Sequence, residues 1–107
     1  MASHFSFELP LANGVSLDPR VIELHADIIY AMGLICGYCK EYDNAMLLLT
    51  KAAELYGVAS GSSSCKYANT LYYLGETLSS IGHSNAAGER YRVAASIYRK
   101  HMSSWRE

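Results

Sequence analysis

The chain has 107 residues, half of them apolar, with two prolines and a net charge of −1. This length makes a single domain, and the near-neutral charge lacks the continuous basic surface of a nucleic-acid-binding protein. Three cysteines, an odd number, favour a reducing compartment over a disulfide scaffold, so we expect a cytoplasmic protein with no nucleic-acid partner.

Residues 1–17 have no helical periodicity. Phe5, Phe7, Leu9 and Leu11 alternate with polar residues or proline, which predicts an extended N-terminal arm with one apolar edge. Three states stay open for this arm: docked on its own domain, docked on a second copy, or disordered. No basic cluster precedes a hydrophobic run, so we expect no secretory signal, and no stretch is apolar over the roughly 20 residues of a membrane span, so we expect no membrane partner.

The first helix is predicted from Pro19 to Tyr38. Asp18 precedes the proline, and aspartate caps free backbone N–H groups while proline suits the first helical position. The residues predicted to lie along its buried side are Val21, Leu24, His25, Ile28, Ile29, Met32 and Ile35.

The second helix is predicted from Tyr42 or Asp43 to Tyr56, ended by Gly57. Its inward side chains should be Ala45, Leu48, Leu49, Ala52 and Leu55. The segment 57–64 is rich in glycine and serine, which is typical of a flexible connector.

Two further helices are predicted after the connector. The third begins near Ser64, a capping serine, and runs to about Ile81. A turn at Gly82-His83-Ser84 leads into the fourth, from about Asn85 to Ser103.

One pattern occurs twice, 42 residues apart. A large apolar residue and a glycine are followed by alanine, a large side chain and alanine at equal intervals, and such periods signal a repeat architecture. The small residues suit the close contact between antiparallel helices, and the large ones fill the neighbouring groove. The two sets are Met32-Gly33, Ala45, Leu49, Ala52 and Leu74-Gly75, Ala87, Tyr91, Ala94.

This pattern resembles the tetratricopeptide repeat family. The long period, with YANTLYYLGETL and AASIYRK, is similar to the kinesin light chain subclass. Three departures are the missing proline after the second helix, Cys36 at a common aromatic position, and Lys40 in place of the inter-helix glycine. The resemblance implies an all-α fold of two tandem helix hairpins in residues 18–107, with repeats at about 19–57 and 65–103.

The sequence offers no constellation for catalysis. Cys36 and Cys39 form CGYC, but neither Cys65 nor any histidine stands at ligand spacing to complete a metal site. The serines have no nucleophile elbow, and no glycine-rich phosphate loop is present. We therefore expect a protein that is not an enzyme and that holds no metal and no cofactor.

The family resemblance implies a concave groove that receives a peptide or helix of a partner protein. The matching positions are Asp27, Tyr30, Leu34, Tyr38, Asn69, Tyr72, Tyr73 and Glu76. This tyrosine-rich, mildly acidic surface favours a ligand with apolar or aromatic anchors and a basic residue near Asp27 or Glu76. The alternative for each tyrosine is packing between the repeats.

The last helix is predicted to leave an uncovered apolar end, because stacked repeats normally need a polar capping helix. The residues assigned to self-association are Val93, Ile97, Met102 and Trp105. A homodimer is the preferred arrangement, and a longer repeat array is the alternative. The function so predicted is a non-enzymatic scaffold or adaptor, and its rival is a small chaperone that shields an apolar segment of a client protein.

Overall fold

The computed structural model describes residues 18–105, and these fold into four α-helices with no strand among them. The helices are α1 (Pro19–Tyr38), α2 (Tyr42–Ser60), α3 (Cys65–Ser80) and α4 (Ser84–Trp105). The predicted all-α class is confirmed. The predicted N-terminal arm lies outside the described residues.

The helix starts use the predicted caps. The Asp18 side chain accepts a hydrogen bond from the Arg20 N–H at 2.9 Å, and Ser64 accepts one from the Tyr67 N–H at 3.1 Å. The predicted end of α2 is wrong, because the helix continues through Gly57 to Ser60. Gly61, with a φ of 87°, follows as the C-cap and takes the left-handed conformation that only glycine adopts without strain.

The helices are antiparallel within each of the two pairs, α1–α2 and α3–α4. Asp27 of α1 bonds to Tyr56 of α2, and Gly33, further along α1, lies against Leu49, which comes earlier in α2. The two helices therefore run in opposite directions. The glycine allows the close approach: a Cβ at Gly33 would lie 2.9 Å from the Leu49 side chain. Helices α3 and α4 pair in the same sense.

The predicted 42-residue period recurs in the contacts of the two pairs. Each contact of the first pair has a counterpart 42 residues later: Asp27–Tyr56 corresponds to Asn69–Tyr98, and Gly33–Leu49 to Gly75–Tyr91. The turn residues Lys40 and Gly82 are separated by the same interval. Both turns contain an equivalent bond of 2.8 Å, from the Glu41 N–H to the Cys36 carbonyl and from the His83 N–H to the Leu78 carbonyl. The described chain is therefore one helix pair built twice.

Helix α2 joins the two pairs, because its buried side chains belong to two clusters. Leu48, Ala52 and Leu55 pack with α1, whereas Leu49 and Ala53 pack with α3 and α4. The inward residues predicted for α2 are all buried.

The buried side predicted for α1 is largely wrong. Ile29 is buried, but Leu24, Ile28 and Ile35 are each about 60% exposed and Val21 is 40% exposed. The face against α2 is formed instead by Ile22, Ala26, Ile29 and Gly33. Apolar residues occupy most sides of α1, so their periodicity does not identify the buried face. The small residues Ala26 and Gly33 mark it, because they allow the close contact with α2.

The prediction that no stretch is apolar over the length of a membrane span does not hold for α1. In the described part of the chain it is the one helix long and apolar enough, by length and composition, to cross a membrane. Composition does not separate such a span from a helix of a packed domain. In this structure α1 packs on α2, and its acidic side chains pair with Lys66 of α3.

Candidate peptide-binding groove

A cleft between α1 and α3 encloses about 250 Å³. Its lining includes four of the predicted groove residues: Leu34, Tyr38, Tyr73 and Glu76. The other lining residues are Gly33, Gly37, Tyr42, Leu49, Thr77 and Ser80. We call this cleft the α1–α3 groove.

Two glycines of α1 line the groove, Gly33 against Leu49 of α2 and Gly37 at open space. Gly33 and Gly37 are one turn apart, and a Cβ at Gly37 would meet nothing within 4 Å. Leu49 of α2 is buried and contributes an apolar surface to the floor. Tyr38 ends α1 and is 82% exposed, so its ring is available to a ligand.

Glu76 supplies the acidic group of the groove. Its carboxylate accepts a hydrogen bond of 2.6 Å from the Tyr91 hydroxyl, and this bond raises the pKa of Tyr91 to about 12. The side chain is exposed and also borders a second, more open cavity of about 530 Å³ between α3 and α4. Tyr72 lines that second cavity and not the first.

Asp27 and Asn69 line neither cavity. Asp27 accepts a hydrogen bond from the Tyr56 hydroxyl and forms an ion pair with Lys66. Asn69 accepts a hydrogen bond from the Tyr98 hydroxyl. The two tyrosine bonds join the first helix of each pair to the second, and the ion pair joins α1 to α3. Asp27 and Asn69, which were predicted to face a ligand, therefore bond to other side chains of the domain.

Tyr30 packs between the two helix pairs. Its ring makes edge contacts with Tyr56 at 6.3 Å and with Tyr73 at 6.0 Å between centroids. Burial is the first cause that raises the pKa of Tyr30 to about 12. Tyr30 therefore follows the alternative reading, in which a tyrosine packs between the repeats.

Sequence reasoning missed an ionic cluster centred on Lys66, at the start of α3. Its ammonium lies 2.8 Å from Glu23 and 3.1 Å from Asp27, both on α1, and the Ser60 hydroxyl donates to Glu23 at 2.7 Å. The bond to Lys66 lowers the pKa of Glu23, and the bond to Glu23 raises the pKa of Lys66. The cluster ties α1 to α3 directly.

The predicted self-association end is only partly exposed. Val93 is 42% and Met102 is 63% exposed, but Ile97 is 5% exposed within the cluster of α2, α3 and α4. The prediction of Ile97 as a surface contact is therefore wrong, because its side chain points into the core. Trp105 lies outside the described side chains.

The cysteines of the CGYC motif lie at the end of α1 and just beyond it. Cys36 is half-buried, and burial raises the pKa of its thiol, whereas Cys39 and Cys65 are exposed. Across residues 18–105, no three histidine, cysteine or acidic side chains cluster in a way that suits a metal ion.

These features define an all-α protein of repeated helix pairs with a cleft between its first and third helices. No protein-family model, curated protein or solved structure matches the chain.

Proposed function

We propose that the chain is a tetratricopeptide-type interaction module, a non-enzymatic scaffold or adaptor that binds a peptide or helix of a partner protein in the α1–α3 groove. The support for the repeat type is the 42-residue recurrence of Asp27–Tyr56 and Asn69–Tyr98. The observation that carries the binding role is the groove itself, with an apolar floor and an acidic rim at Glu76.

The size of the groove favours a peptide anchor over a whole small molecule. Ligand pockets for small molecules usually enclose about 300–1,000 Å³, and this groove encloses about 250 Å³. Leu34, Leu49 and Tyr73 suit one apolar or aromatic side chain, and Glu76 suits a basic residue beside it. The partner segment thus carries an apolar anchor next to lysine or arginine.

The test uses a displayed library of random 12-residue peptides, selected on the wild-type chain. Selected peptides should share an apolar anchor with a neighbouring basic residue. Tyr38→Ala with Glu76→Gln should weaken their binding about tenfold or more, a change of about 1.4 kcal/mol. Tyr38 is mostly exposed and glutamine still accepts from Tyr91, so the fold should remain.

The matched control is Leu47→Ala on α2. Leu47 is 58% exposed and lines neither the groove nor the second cavity, so peptide affinity should not change. Equal affinities for the wild type and the groove variant, measured by isothermal titration, would remove the groove as the binding site.

A further inference from the structure

Apolar side chains cover the face of α1 that points away from α2. Val21, Leu24, Ile28 and Ile35 are 40–61% exposed and Tyr38 is 82% exposed. Spacings of three and four residues place them in one row down the helix. We call this row the α1 stripe: Val21, Leu24, Ile28, Ala31, Ile35 and Tyr38.

The α1 stripe is more than scattered surface apolar residues. Single exposed apolar side chains are normal, but a continuous row marks a surface that another element covers. The nearby acidic side chains of α1, Glu23 and Asp27, are occupied by Lys66. The stripe itself carries no charge, so covering it requires no desolvation of a charged group.

Seventeen residues precede Asp18, and they join α1 one turn before the stripe begins. Twelve extended residues reach about 40 Å, whereas the rise from Val21 to Tyr38 is about 26 Å. A segment that reverses at Asn13-Gly14 therefore spans the whole stripe. Within residues 1–12, Glu8 is the single acidic or basic side chain apart from His4.

We propose that residues 1–12 dock along the α1 stripe of their own chain. The alternating side chains Phe5, Phe7, Leu9 and Leu11 supply the apolar edge that lies on it.

Two arguments favour this segment over a second copy. The stripe covers about two and a half heptads, fewer than the three to four that indicate a coiled coil. The segment is also tethered at Asp18, and a short tether gives an effective concentration on the order of millimolar.

The experiment is limited chymotrypsin digestion of the full chain, following cleavage after Phe5 and Phe7. The stripe variant is Leu24→Gln with Ile28→Gln, and the matched control is Leu47→Gln on the outer side of α2. All three side chains are 58–61% exposed, so both variants should keep the helical circular dichroism of the wild type. We expect cleavage about tenfold faster in the stripe variant than in the wild type or the control.

Equal cleavage rates in the wild type and the stripe variant would overturn the proposal. Light scattering at several concentrations identifies the other occupants. A two-chain mass that falls to one chain in the stripe variant assigns the stripe to a second copy, including an exchanged segment. If the wild type sediments with phosphatidylcholine vesicles and the stripe variant does not, the α1 stripe binds a membrane. Either result excludes docking within one chain.

The α1 stripe shares one residue, Tyr38, with the α1–α3 groove, and the stripe variant leaves that residue unchanged. Glu76→Gln lies outside the stripe and should leave the cleavage rates unchanged. Failure of peptide binding and failure of segment docking are therefore separate outcomes.

Discussion

At the scale of single residues, two positions of the first helix pair constrain the backbone. Gly33 permits the close contact of α1 with α2, and Lys40 holds the left-handed turn between them with a φ of 63°. The equivalent turn residue in the second pair is Gly82, with a φ of 88°. The first pair thus places a lysine where glycine has no steric cost.

Gly33→Ala should destabilise the protein although alanine is the better helix former. The new Cβ would lie 2.9 Å from Leu49, which is 1% exposed and cannot move without disturbing the core. Overpacking of this kind costs about 1–3 kcal/mol. Gly37→Ala, four residues later in open space, should instead stabilise the protein by up to about 1 kcal/mol. Urea unfolding checks both variants, and shifts of the same sign would contradict the contact.

Lys40→Gly should raise the free energy of unfolding by about 0.5–1 kcal/mol, because glycine removes the strain of the left-handed conformation. Gly82→Ala should lower it by about 1–2 kcal/mol for the same reason. Thermal unfolding of both variants measures the effect. A loss of stability in Lys40→Gly would show that the lysine side chain contributes more than its backbone strain costs.

At the scale of elements, the Lys66 cluster joins the first helices of the two pairs, in addition to the ring contact of Tyr30 with Tyr73. It joins side chains 39 and 43 residues apart, and Glu23 also accepts the Ser60 hydroxyl. The first half of the sequence is acidic and the second half basic, and here the two signs meet within one molecule.

The Glu23–Lys66 pair makes the free energy of unfolding depend on pH in the acidic range. The folded-state pKa of Glu23 is lowered, so its contribution is present above its ordinary value of 4.5 and is lost as pH falls through the lower folded value. Glu23→Gln should therefore flatten the fall in stability below pH 4.5. Glu54→Gln is the control, since Glu54 pairs with Lys51 of the same helix at 3.8 Å. Urea midpoints from pH 3 to 7 test this, and identical acid profiles for Glu23→Gln and the wild type would contradict it.

Sequence alone predicted most helix boundaries and the inward face of α2. Local signals suffice there: Asp18-Pro19 and Ser64 begin helices, and alanines among leucines mark one side of α2. The face of α1 was mispredicted because apolar residues surround that helix, although Ala26 and Gly33 marked the correct side.

The candidate site was predictable only in part. Leu34, Tyr38, Tyr73 and Glu76 meet at one groove, but Asp27 and Asn69 are taken by tyrosines of the following helix. Whether Asp27 and Asn69 bond to these tyrosines or face a ligand depends on distances in the folded structure, which cannot be read from the spacing of residues in the sequence. The Lys66 cluster was missed for the same reason.

At the scale of the whole molecule, the two helix pairs should unfold together. Helix α2 contributes buried side chains to both clusters, so neither pair retains a complete core when the other opens. This arrangement matters for binding, because the α1–α3 groove exists only while both pairs stay in place.

Ile97→Ala tests this coupling from the far end of the chain. Ile97 is 5% exposed, so its truncation should lower the free energy of unfolding by about 2–4 kcal/mol, whereas Met102→Ala, at a side chain 63% exposed, should change it by less than about 0.5 kcal/mol. Hydrogen exchange should then show equal loss of protection in α1 and in α4, although α1 contributes no fully buried residue to the cluster of Ile97 and touches it only through Tyr30 and Leu34. Loss confined to α3 and α4 would mean that the pairs open separately, and a ligand in the groove would then have to hold the repeats together.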